Sequence, residues 1–136
     1  MSTENQSNRA SEAFLKKLKR ISKLRPNKFK ELKSTFDKIK DLNDVKRNYG
    51  VSVIIKLNAN VLRLKNRPTR SQVTDINDMM LYNHSTLSLE EFHYALQHAR
   101  WRTFDRKVDH FGHFDATYVA DVILAYKEWI NRRKKT

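Results

Sequence analysis

KLKRISKLRPNKFKELK, residues 17–33, holds eight Lys or Arg against one acid, Glu31, and is broken once, at Pro26. How this stretch is read decides the fold. It reads as a hinged basic arm appended to a helical domain. Upstream, Phe14, Leu18 and Ile21 recur at spacings of four and three, the signature of one helical face. At about 100° per residue, Lys16, Lys19, Arg20 and Lys23 fall on the opposite face. Pro26 removes an amide donor and pushes Arg25 out of helical geometry. Asn27 is then expected to cap a second helix, with Phe29, Leu32, Phe36 and Ile39 as its apolar stripe. Lys28, Lys30, Lys33, Lys38 and Lys40 are the cations of this second helix, and Asn48 with Gly50 marks its expected stop.

Working outward, the charge is segregated. Residues 1–70 carry 19 Lys/Arg against 6 Asp/Glu, and residues 71–136 carry 9 of each, so the whole net charge of +13 sits in the first half. Such asymmetry points to a polyanionic partner for one segment and a neutral folded role for the other. The polar opening MSTENQSNRA contains no apolar run of a secretory signal. No stretch approaches the roughly 18 consecutive apolar residues of a membrane span. The absence of cysteine excludes disulfides, thiolate nucleophiles and Cys-ligated zinc.

Downstream, residues 51–65 (VSVIIKLNANVLRLK) fit a helix or a strand by periodicity, and the helical neighbours favour helix. Thr69–Gln72 has the form of a capping box before a helix with Val73, Ile76 and Met80 inward, ending near Asn83. Ser88 and Glu91 form a second box, with Leu87 and Phe92 as its hydrophobic staple; this helix is expected to reach Arg106, with Phe92, Leu96 and Ala99 inward. Residues 109–115 connect to a last helix that starts at Asp115 or Thr117, has a broad apolar face and ends in RRKK, cations suited to a helix C-terminus. The expected fold class is all-α: a flexible lead (1–8), a kinked basic two-helix arm hinged at Pro26 (9–48) and a four-helix bundle (49–136) able to stand without the arm.

The arm carries the functional expectation. Lys16, Lys17, Lys19, Arg20, Lys23, Arg25, Lys28, Lys30, Lys33, Lys38 and Lys40 are suited to phosphate, and Arg63, Lys65, Arg67 and Arg70 extend the track past residue 60. Phosphate contacts position a protein without reading bases, and no helix-turn-helix, zinc-finger or RNP pattern accompanies them, so sequence-independent binding of double-stranded DNA is expected. An isolated arm cannot bury Phe14, Leu18, Ile21, Phe29, Leu32, Phe36 and Ile39, which are therefore expected to form a subunit interface. Trp101, between Arg100 and Arg102, reads as a core or interface residue before it reads as a base-stacking one. His110 and His113, with Asp109 and Asp115 beside them, have ligand-like spacing but no Cys and no His-Glu-x-x-His pattern, so loop capping is preferred and no metal is assigned. There is no Gly-rich phosphate loop, nucleophile elbow or paired-carboxylate motif, and neither an enzyme activity, a cofactor nor a small-molecule substrate is expected.

The proline-kinked basic segment KLRPNKF (23–29), followed by a small helical bundle ending in ADVILAYKEWINRRKK (120–135), resembles the major coat proteins of filamentous double-stranded-DNA viruses of archaea, of the lipothrixvirus and rudivirus kind. The resemblance implies coat subunits that pair as homo- or heterodimers. Their arms would wrap the duplex through the cations on either side of Pro26, and their bundles would build the shell of a virion assembled in the host cytoplasm. Two other readings stand beside it: an accessory or regulatory DNA-binding protein of a plasmid or phage, for replication or transfer, and a helical adaptor for an acidic protein or membrane surface.

Overall fold

In the computed structural model, residues 3–133 are described; Met1, Ser2 and the end of the RRKK run, Lys134 and Lys135, lie outside them. The described residues are helical, with no named strand: α1 (Thr3–Ser22), α2 (Pro26–Leu32), 3-10 turns at Lys33–Thr35 and Ile39–Asp41, α3 (Asp44–Leu62), α4 (Arg70–Asn83), α5 (Leu89–Arg100) and α6 (Ala116–Asn131). Residues 51–62 are helix, not hairpin. The expected lead is helical from Thr3 onward.

Helix α5 is the centre. Every residue from Leu89 to Ala99 is buried, because α1, α3 and α6 all pack against it. Its start is fixed locally. Ser88 Oγ accepts the Glu91 amide at 2.9 Å, and Glu91 Oε1 accepts the Ser88 amide at 3.3 Å, which satisfies two otherwise orphaned donors. The other carboxylate oxygen of Glu91 accepts the Tyr126 hydroxyl at 2.6 Å, joining α6 to the same turn. Helix α4 closes the opposite side against α3 and α6, and it begins at the expected Thr69–Gln72 box.

The N-terminal third departs from the expected arm. Leu18, Ile21, Phe29 and Ile39 are 0–4% exposed in the chain's own core, and Phe14 and Phe36 pack partly buried against it; Leu32 is half-buried. The physical reason is that a stripe at helical spacing is satisfied equally by a partner or by the same chain, and here α5 supplies the matching surface. Phe29 stacks on Tyr94 with ring centroids 3.8 Å apart, and the Tyr94 hydroxyl donates to the Leu24 carbonyl at 2.8 Å. The Ile39 and Lys40 amides donate to Leu87 and Ser85 carbonyls at 2.8 and 3.0 Å, pinning the segment after α2 beside the start of α5.

Several boundaries move as a result. Arg25, extended at ψ 151°, is the N-cap of α2 and Pro26 its first residue, so Asn27 is not the cap. Helix α2 stops at Leu32, which leaves Phe36 and Ile39 in turns. Helix α3 starts at Asp44, where Asn43 accepts the Lys46 amide, and it runs straight through the expected stop at Asn48 and Gly50. A boundary at 48/49 would cut this helix. Gly50 is there for closeness: a Cβ at this position would collide with Leu89 Cδ1. Helix α5 ends at Arg100, not 106, and residues 101–115 are irregular, with Arg102, Phe111 and Gly112 at positive φ.

Candidate nucleic-acid interface

The cations of the N-terminal half divide into those facing water and those used by the fold. On α1, Leu18 and Ile21 point into the core, so Lys16, Lys19 and Arg20 share the exposed side, and Lys23, in the turn just past its end, is exposed as well. None of the four makes an ion pair among the described residues. Lys17 is different. It lies 2.6 Å from the buried Glu90 carboxylate and over the Phe36 ring, so it ties α1 and the turn after α2 to α5. Lys30 is also taken: its Nζ donates to the Asn131 carbonyl at 3.1 Å and to that of Arg133, capping the end of α6. Lys28 sits 3.9 Å from Glu31, and Lys33 is half-buried. Arg25, Lys38 and Lys40 are exposed.

The second group, Arg63, Lys65, Arg67 and Arg70, is exposed along the connection from α3 to α4, with no ion pair among the described residues. Arg63 has left-handed geometry (φ 53°) and ends α3. Two cations that sequence reasoning assigned only to a helix end, Arg132 and Arg133, are brought to the Pro26 turn and line hollows there with Asn27. The missing signal was long-range: nothing local to RRKK reports that α2 lies beside it.

Between α1, α3 and α5 lies a cleft of about 400 Å³, with Leu15, Leu57 and Val61 on its walls. Its floor is a hydrogen-bonded chain. Asn58 Nδ2 donates to His93 Nδ1 at 3.1 Å; Nε2 of the same ring faces Ser22 Oγ at 3.1 Å; Ser22 Oγ donates to the Leu18 carbonyl at 2.8 Å. Arg100 donates to Asn58 Oδ1 at 2.7 Å, and Gln97 donates to the Ser22 carbonyl at 3.0 Å. Burial, then the charge of Arg100, push His93 down to about 4, so the ring is neutral and each nitrogen has one role. This network ties α1, α3 and α5 together, with the buried Gln97 Oε1 left without a hydrogen-bond partner among the described residues.

The remaining sequence candidates have structural surroundings. His110 Nδ1 accepts the Gly112 amide at 2.9 Å, capping the loop; no group of three or more His, Asp or Glu among the described residues is placed to hold a metal ion. Trp101 is 59% exposed with its edge against His98, so it is neither a core residue nor enclosed by the flanking arginines. No helix among the described residues is long and apolar enough to cross a membrane. No protein-family model, no curated protein and no solved structure matches this chain.

Proposed function

We propose that this chain binds duplex DNA through its phosphates, without reading sequence, as a helical domain that carries its cations on the outside. The observation that supports the reading is the exposed side of α1 and the turn that follows it, where Lys16, Lys19, Arg20 and Lys23 stand without an ion pair among the described residues while the opposite side of α1 is locked into the core. Four unpaired cations at helical spacing release counterions on meeting phosphate, and each contact adds about −0.9 to the slope of log affinity against log salt. In the packaging setting the chain is a coat subunit of a filamentous virus, repeated along the duplex and paired with a second copy or a paralogue.

One observation favours the accessory DNA-binding reading over a coat subunit with clasping arms. Lifting the N-terminal helices off would expose Leu18, Ile21, Phe29 and Ile39. At about 1.5–3 kcal/mol for each large apolar side chain, the cost is about 6–12 kcal/mol. That matches the whole stability of an ordinary domain, about 5–15 kcal/mol. An accessory protein needs no such release.

The test is binding to a labelled random-sequence duplex between 50 and 200 mM salt. Wild type is expected to bind and to weaken steeply. The variant K16Q/K19Q/R20Q/K23Q should lose about 3–4 from the slope. Equal binding by the variant, or none by wild type, would refute the proposal. Electron microscopy of the same mixtures separates the settings: regular filaments select the coat subunit, discrete particles the accessory protein.

A further inference from the structure

The geometry points to a phosphate-binding cleft at the Pro26 turn, built from both ends of the chain, where backbone phosphodiesters of the duplex are held by Arg25, Lys28 and Arg133. This rests on the DNA-binding reading and narrows it to one place. Two hollows of about 450 and 310 Å³ adjoin there and share Asn27 and Arg133; the first is also lined by Arg25, Pro26, Lys28 and Glu31, the second by Thr103, Asp105, Trp129 and Arg132. Residues about a hundred positions apart in sequence therefore border one concavity.

Each part of its construction has a cause. Pro26 forces Arg25 into extended backbone, and Arg25 is exposed at the mouth with no ion pair among the described residues. Lys30 binds the last carbonyls of α6, which anchors the C-terminal segment beside α2. The same contact offsets the negative end of the α6 dipole, which would otherwise repel a phosphate. Arg133 lies over the Trp129 ring at 4.9 Å, and a guanidinium stacked on a ring keeps the donors at its edge available for the paired oxygens of a phosphate. Lys28 is held only loosely by Glu31, at 3.9 Å. Arg132, 2.5 Å from Asp105 and bonded to the Glu128 carbonyl, is the wall of the cleft and not its ligand.

The chain has two tryptophans, Trp101 and Trp129, so Trp101→Phe leaves Trp129 as the sole reporter in the full-length protein. Trp101 is exposed, and Arg25 and Arg133 are too, so substitution leaves the core intact, which circular dichroism checks. With a random-sequence duplex, W101F is expected to show a saturable change in Trp129 emission. Adding R25Q/R133Q should abolish that change and remove about 2 from the log–log salt slope. If R25Q/R133Q keeps the full slope and affinity while the α1 variant loses them, the cleft is refuted and the DNA reading survives. If W101F and wild type both fail to bind duplex at 50 mM salt, the two fall together. Emission that responds to inorganic phosphate but not to duplex would assign the cleft to free phosphate and overturn the backbone assignment.

Discussion

Gly50 shows how much a single position can set. In the middle of α3 a glycine should lose to alanine by about 1 kcal/mol. Here the added methyl would collide with Leu89, itself only 6% exposed. Gly50→Ala is therefore expected to bring no gain, or a small loss, in urea unfolding, and to recover about 1 kcal/mol in a Leu89→Ala background. The same shift in both backgrounds would mean that Leu89 does not crowd the site. His93 is the second decisive residue. Its folded pKa lies at about 4, below the 6.5 of a free ring, because burial disfavours the charged form. Between those values the unfolded chain holds the proton and the folded chain does not. Stability is thus full above about pH 6.5 and falls as pH drops toward 4, by on the order of 3 kcal/mol from this residue. Urea midpoints at pH 7 and pH 4.5 measure it. His98, also pushed down to about 4 by burial, adds a like dependence, so His93→Gln should remove about half of the combined effect; an unchanged slope would place the titration elsewhere.

At the scale of elements, α1 is a working part of the core. Leu18→Ala is expected to cost about 2–5 kcal/mol, while Leu15→Ala, at 41% exposure, stays within about 1 kcal/mol. Equal small effects would mean that α1 does not dock. The sequence showed what is local. Both capping boxes were readable because cap and partner lie three residues apart, and the break at Pro26 was readable from proline chemistry alone. The destination of the apolar stripe was not, since 3.6-residue periodicity says which side is buried and never against what. Helix α5 was legible as a helix but not as the centre. Glu90, Glu91, His93, Gln97 and His98 look like a solvent side, yet all five are buried: Glu90 meets Lys17, Glu91 accepts the Tyr126 hydroxyl, His93 bonds Asn58 and Ser22, and Gln97 bonds the Ser22 carbonyl, partners 35 or more residues away. The α1 cations were legible by the same periodicity. The diversion of Lys17 and Lys30 into the fold, and the arrival of Arg133 at Pro26, depend on packing between distant segments and left no local trace.

For the whole molecule, a net charge of +13 concentrated in the first 70 residues is a cost to the fold as well as the basis of the proposed binding. Like charges repel across the folded surface, and screening relieves them within a Debye length of about 10 Å at 0.1 M salt. Raising NaCl from 20 to 300 mM should increase Tm by several degrees in a thermal melt, on the order of 1 kcal/mol for a chain of this size. A flat or falling Tm would show that the exposed cations do not strain the fold. The encasement of α5 has a practical corollary. With α1, α3 and α6 packed on it, the backbone of residues 89–99 is out of reach of a protease until those helices come apart, and the amide protons there should be among the last to exchange with heavy water.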